Sequence, residues 1–197
     1  TFLERTSDAS IASNGGDVVE IREKFLTYIP ENSLILDVWC GTGRDAKYFI
    51  EHWNRIVGID ICESFIDNLR IDVSWDYFVG DIVDPESAIY KKEYDAIWCN
   101  ASIVHLNREE AKQVIENCFR ALKKWGCFFV WTKYSTTNTH MEEKESKSIP
   151  GSIKPYLYYT EADLRNDLVD AGFDILDTSL GQWAYWWDQF IRIYSRK

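Results

Sequence analysis

Five polar side chains stand where apolar runs of this chain end, and their types suit a ligand that carries a sugar and a base. Asp37 lies in LILDVWCGTGRD, residues 34–45. In that segment Gly41 and Gly43 permit a tight turn and close backbone approach, and the helix that follows offers its positive N-terminal end. Trp39 stands where such a loop normally carries its first glycine. Asp60 ends the run RIVGID, where a carboxylate can accept both hydroxyl hydrogens of a ribose or cap a helix that begins near Glu63. Asp81, in Gly80-Asp81-Ile82, suits the exocyclic amine of a base, with a neighbouring N–H for a ring nitrogen, or serves as a turn aspartate. The run Asn100-Ala-Ser-Ile-Val-His105 brings an amide, a small residue and an imidazole to the mouth of the same cleft. His105 there either touches a substrate or is structural.

These positions require strands to carry them. Apolar residues at helical spacing predict a first helix over 17–28, stopped by Pro30, and Leu34–Val38 reads as a buried strand. Helices over 44–53 and 63–71 alternate with strands over 55–60, 77–79 and 94–99. Asn107 with Glu110 forms a capping-box pattern for a helix running to about Lys124, and a fifth strand follows over 127–132. A helix capped by Thr160 ends at Gly172, and strands over 174–179 and 189–195 close the chain with no helix between them. The alternation predicts an α/β fold, a doubly wound, mostly parallel sheet of seven strands with an antiparallel strand at the C-terminal end. In such a sheet ligands bind beyond the carboxyl ends of the strands, beside the first one.

The 197 residues read as a single domain, 1–197, without a linker. Residues 135–155 are polar, with the run MEEKESK, and predict a flexible loop that serves as a lid or substrate loop. Three tryptophans and a tyrosine (Trp183, Tyr185, Trp186 and Trp187) share one short loop and are the tryptophans best placed to wall a pocket. A net charge of −10 argues against a partner bound through phosphate neutralisation. Cys40, Cys62, Cys99, Cys118 and Cys127 are odd in number and scattered, which fits reduced, packed thiols and no metal site. There is no signal-peptide pattern and no apolar run of about 18 residues, so a cytoplasmic, non-membrane protein is expected.

Together, LILDVWCGTGRDA, RIVGIDICESFI, the Gly80-Asp81 step, YDAIWCNASIVHL, ALKKWGCFFV and YYTEADLRNDLVDAGFDI resemble the class I S-adenosylmethionine-dependent methyltransferases over residues 17–197. The resemblance is narrower to small bacterial members with GRDA after the glycine loop, whose substrates are often unassigned. It implies a Rossmann-like fold and S-adenosyl-L-methionine as cofactor. Asp37, Trp39 and the Gly41–Gly43 backbone would then line the methionine part, Asp60 the ribose and Ile61 the adenine face. Asp81 and Ile82 would bond the adenine edge, Asn100 and Ala101 would approach the methionine amine, and His105 would be the base for an acceptor that needs one.

Two departures from the family pattern stand out: Trp39 for the first loop glycine, and Lys124-Trp125-Gly126-Cys127 for Pro-Gly-Gly before the fifth strand. The expected activity is methyl transfer to a small molecule. The alternatives are an RNA or tRNA base as acceptor, and a non-catalytic binding module whose pocket is filled by Trp39.

Overall fold

The computed structural model describes residues 16–72, 76–145, 151–182 and 189–197, and the aromatic cluster at 183–187 lies outside them. Apolar runs that alternate with amphipathic helices become parallel strands, since each strand buries both faces under the helices that connect it. The strands β1 (Leu34–Val38), β2 (Arg55–Asp60), β3 (Asp76–Val79), β4 (Tyr94–Asn100) and β5 (Leu122–Tyr134) lie in the order β3-β2-β1-β4-β5, all parallel. At the far side β9 (Gln189–Arg196) runs antiparallel to β5, and β8 (Asp174–Gln182) antiparallel to β9. The doubly wound sheet with an antiparallel C-terminal strand is therefore present.

Among the described residues the sheet has nine strands rather than seven. Residues 135–155, expected as a loop, contain β6 (His140–Glu145) and the start of β7 (Ile153–Tyr159), which pair antiparallel. Strand β7 buries Leu157, Tyr158 and Tyr159, whereas β6, with sequence HMEEKE, is an edge strand. Charges on an edge strand discourage pairing with another chain, so the polarity that reads as loop is edge protection. Lys133 of β5 pairs with Phe190 on one side and with Tyr158 on the other. Since the β4–β5 ladder ends at Asn100 and Trp131, β7 lies alongside β5 just beyond β4. The hairpin consequently stands over the carboxyl ends of the central strands.

Helices α1 (Gly16–Leu26), α2 (Arg44–Glu51) and α3 (Glu63–Asp72) cover one face, where Phe25, Phe49, Ile66, Trp98 and Phe129 share an apolar cluster. Helices α4 (Arg108–Ala121) and α5 (Glu161–Ala171) cover the other, over Leu36, Val38, Ile59, Phe128 and Ile193. Each fully buried side chain of this size stabilises by about 1.5–3 kcal/mol. Asn107 and Glu110 form the expected capping box, but α4 stops at Ala121 and not near Lys124. Leu122 is apolar enough for either element; its pairing with Tyr94 makes it the first residue of β5. No helix among the described residues is long and apolar enough to cross a membrane.

Candidate active site at the carboxyl ends of the strands

The turn from β1 into α2 is held in left-handed backbone at three points: Trp39 at φ 55°, Gly41 at φ 54° and Gly43 at φ 75°. Gly43 is also needed for space, because a Cβ there would lie 2.4 Å from Leu69. Trp39 accepts the conformation at a cost of about 1–2 kcal/mol. Its ring packs against the apolar cluster that includes Val38, Ile59 and Ile82, and its Nε1 is buried without an acceptor among the described residues. The turn is tied to β2: Cys40 N–H donates to the Ile59 carbonyl at 3.0 Å, and Gly41 N–H to Asp60 Oδ2 at 2.9 Å.

Asp60 thus does more than present a carboxylate. Its Oδ1 accepts from Cys62 N–H at 2.8 Å, so one side chain clamps the glycine loop to the turn into α3 and retains lone pairs for a ligand. Beside it Ile61 is 62% exposed, an isoleucine left at the surface next to the loop. One strand further out, Gly80 N–H donates to the Asp60 carbonyl at 3.0 Å. That bond brings the β3 end alongside. Asp81 is exposed, with Oδ1 accepting from Val83 N–H at 2.9 Å, while the Ile82 side chain is fully buried and its carbonyl accepts from Tyr90 Oη at 2.7 Å, which leaves its backbone N–H as the group to meet a ligand.

On the other side of β1, Asp37 faces Trp98 in the β1–β4 register. Asp37 is buried and its Oδ2 has no hydrogen-bond partner among the described residues. Burial first, and then the charge of Asp45, hold its carboxyl well above the usual carboxylate range. Trp98 and Asn100 lie on the same face of β4, and both donate to Asp45 Oδ2, from Nε1 at 2.9 Å and from Nδ2 at 2.7 Å. Asp45 also accepts from Arg22 of α1, with Nε at 2.9 Å, and from Arg44 Nε at 3.0 Å. Burial opposes its ionisation, but the two guanidinium groups and the Asn100 amide outweigh burial and hold the Asp45 carboxyl well below the usual range. Asn100 Oδ1 is buried and has no partner among the described residues. Ser102 Oγ donates to the Val38 carbonyl at 2.5 Å, which fixes the ends of β1 and β4 together. Ala101 is left-handed at φ 55° and donates its N–H to the Trp131 carbonyl at 2.9 Å.

His105 ends a 3₁₀ turn, Ile103–His105, beneath the β6–β7 hairpin. Its Nδ1 lies 2.9 Å from the Pro155 carbonyl and its ring is 4.8 Å from that of Tyr156. A carbonyl only accepts, so Nδ1 carries the proton and the neutral ring keeps its lone pair on Nε2. Burial, opposed by the Pro155 contact, lowers the His105 pKa, and Lys154 and Lys133 lower it further. The imidazole is therefore neutral at neutral pH, with the Nε2 lone pair able to accept a proton.

Asp37, Trp39, Gly41, Gly43, Asp60, Asn100 and Ala101 are brought together at adjoining strand ends. Ile61 and Asp81 flank them. His105 stands beneath the hairpin that rises beyond the end of β4. Sequence reading missed Asp45, Arg22, Ser102 and Tyr156. Asp45 had a visible signal, an acidic residue directly after the glycine loop, but that signal reads only as a helix-dipole preference. Its partners come from α1, α2 and β4. Among the described residues, no three histidine, cysteine, aspartate or glutamate side chains are grouped to hold a metal ion.

The model of a family described as "Methyltransferase domain" matches residues 35–126, the span from β1 to the start of β5. The phosphoethanolamine N-methyltransferase of Plasmodium falciparum is 26% identical over 189 residues, covering 92% of this chain and 68% of the relative. A methyltransferase structure from Methanosarcina mazei superposes with a TM-score of 0.76 at 16% identity, covering 87% of this chain and 95% of the other. The 1,6-didemethyltoxoflavin-N1-methyltransferase of Burkholderia thailandensis, solved with 1,6-didemethyltoxoflavin and S-adenosylhomocysteine, superposes with a TM-score of 0.73 at 17% identity over 98% of this chain and 86% of the other. The strand order, the glycine loop after β1 and the matched domain agree: the chain has the fold of these methyltransferase structures, and its stretch from β1 to the start of β5 is similar to a methyltransferase domain.

Proposed function

We propose that this chain transfers a methyl group from S-adenosyl-L-methionine to a small-molecule acceptor, with the cofactor held at the carboxyl ends of β1, β2 and β4. The observation that carries the reading is a set of buried polar atoms without partners among the described residues. Asp37 Oδ2 and Asn100 Oδ1 are acceptors, Trp39 Nε1 is a donor, and all three stand at the ends of β1 and β4. Unsatisfied buried groups cost about 1–3 kcal/mol each, so a native chain keeps them where a ligand completes them. An α-amino acid group has the complementary chemistry: its ammonium suits the two acceptors and its carboxylate the indole N–H. Asp60 has lone pairs left for a ribose, Ile61 offers an apolar face for adenine, and Asp81 with the Ile82 backbone offers its edge the polar contacts.

When bound, S-adenosylmethionine supplies a methyl group on a sulfonium for in-line transfer. The chain's own part is to orient and to exclude water, which for such a reaction supplies most of the rate. His105 Nε2 takes a proton from an acceptor that must be deprotonated. The hairpin carrying Pro155 and Tyr156 fixes the ring in that tautomer and roofs the acceptor side. The packing of Trp39 onto the core supports cofactor binding over a pocket plugged by its indole.

A small acceptor fits the net charge of −10 and is in keeping with relatives named for phosphoethanolamine and for 1,6-didemethyltoxoflavin. Five cysteines without disulfides, four of them buried, support a reducing cytoplasmic setting. Titration calorimetry with S-adenosylhomocysteine tests the reading. Saturable one-to-one binding that Asp37→Ala weakens is expected, and absence of heat and of thermal stabilisation at millimolar ligand overturns it.

A further inference from the structure

An amide side chain has a donor end and an acceptor end of nearly equal shape, so something must decide which end a ligand meets. At Asn100 the deciding group is visible. Nδ2 lies 2.7 Å from Asp45 Oδ2, and an ionised carboxylate only accepts, so the NH₂ faces Asp45 and Oδ1 is turned away. We propose that Asp45 is a positioning residue: it sets the polarity of the Asn100 amide and thereby makes the site select ligands that bring an ammonium group. The proposal rests on the cofactor reading above and extends it to a residue that touches no ligand.

Four observations make Asp45 suited to this. Arg22 and Arg44 donate to its carboxylate, two guanidinium groups that hold it ionised although it is buried. Trp98 Nε1 donates to the same oxygen as Asn100, and the Trp98 ring is stacked on Phe129 with centroids 4.0 Å apart, so that oxygen is fixed in a rigid part of the core. The backbone next to Asn100 is fixed as well, by the Ala101 N–H bond to Trp131. Finally, Asn100 Oδ1 is buried without a partner among the described residues, so reversing the amide would place two donors where an acceptor now waits. A reversed Asn100 would repel an ammonium group and tolerate a ligand that lacks one.

The test compares S-adenosylhomocysteine with 5′-methylthioadenosine, which shares its adenosine and sulfur but lacks the amino-acid group. Calorimetric titrations of both ligands into the natural chain, Asp45→Asn, Asn100→Ala and the double variant give a thermodynamic cycle. The expected result is a loss of about tenfold or more in S-adenosylhomocysteine affinity for each single variant. Methylthioadenosine should be unchanged within about twofold, and the double variant no weaker than either single one. Equal losses for both ligands, or losses that add in the double variant, overturn the proposal, since a merely structural Asp45 weakens both alike.

Asp45→Glu serves if Asp45→Asn fails to fold. It keeps the charge that buried Arg22 requires but displaces the carboxylate from Asn100, and the same selective loss is expected. A ligand-free readout separates this proposal from the cofactor reading. The side-chain NH₂ signals of Asn100 in a ¹⁵N-resolved NMR spectrum should show slowed exchange in the natural chain and lose it in the Asp45 variant. If they do so while neither ligand binds, the cofactor reading falls and the amide orientation stands; if the signals are unchanged in the variant, the positioning role falls.

Discussion

The two ends of the parallel strands treat their polar side chains in opposite ways. At the amino ends, Asp95 accepts from Leu34 N–H at 2.9 Å on one oxygen and from Lys123 Nζ at 2.8 Å on the other. Asn54 accepts from Ser33 N–H at 3.1 Å and donates to the His52 carbonyl at 2.9 Å. At the carboxyl ends, Asp37 and Asn100 are buried or half-buried with one acceptor each left unanswered. One aspartate and one asparagine at each edge thus differ: Asp95 and Asn54 have their oxygens answered, whereas Asp37 and Asn100 each keep an open acceptor. The pKa directions agree: burial pushes against both carboxyls, but the Lys123 and Leu34 bonds still hold Asp95 below the usual range, whereas Asp37 stays above it.

The contrast between these two aspartates yields the largest expected effects. Asp37→Ala should lower S-adenosylhomocysteine affinity by about 100-fold, the loss of a charge-assisted bond, with little or no loss of thermal stability. Asp95→Ala should do the reverse, costing about 1–2 kcal/mol of stability with cofactor affinity unchanged. Calorimetry and urea unfolding on both variants check the pair, and a loss of stability in Asp37→Ala would break the distinction.

His105→Gln should reduce kcat by about 100-fold for an acceptor that must be deprotonated and leave cofactor affinity within about twofold. Because the His105 pKa lies below its ordinary 6.5, kcat should hold its plateau below pH 6.5 and fall only as the ring becomes protonated. The stability linked to the neutral ring follows the same sign. It is complete above about pH 6.5 and is lost as pH falls through the lowered value.

The raised Asp37 pKa gives the opposite sign of linkage in the ligand-free chain. Between its ordinary 3.8 and the raised value, the folded chain keeps a proton that the unfolded chain has released, so this carboxyl costs stability as pH rises through that window. An ammonium beside Asp37 favours the charged form. Cofactor binding should therefore release a proton and tighten with rising pH, as calorimetry in buffers of different ionisation enthalpy would register.

The smallest effects concern the tryptophans. Trp125, at φ 71° and 67% exposed, sits at the amino edge with little burial to lose, so Trp125→Gly should raise stability by about 0.5 kcal/mol. Trp39 carries similar strain but is packed on the core, so Trp39→Gly should give no such gain. A calorimetric melting comparison separates the two positions.

The sequence by itself determined the alternation of strands and helices and the strand-end placement of Asp37, Asp60, Asp81 and Asn100. These are local properties: an apolar run, a turn that needs glycine, and a polar residue at the point where the run stops. It equally marked Trp39 as out of pattern, and φ 55° there is what a glycine position requires.

Tertiary structure alone decided the rest. The β6–β7 hairpin was illegible because HMEEKE has the composition of a loop and becomes a strand only through its partner β7. The tautomer of His105 depends on Pro155, far away along the chain, and the role of Asp45 on donors from α1, α2 and β4. A side chain's type is written in the sequence, but the direction its donor or acceptor faces is set by which distant groups the fold brings to it.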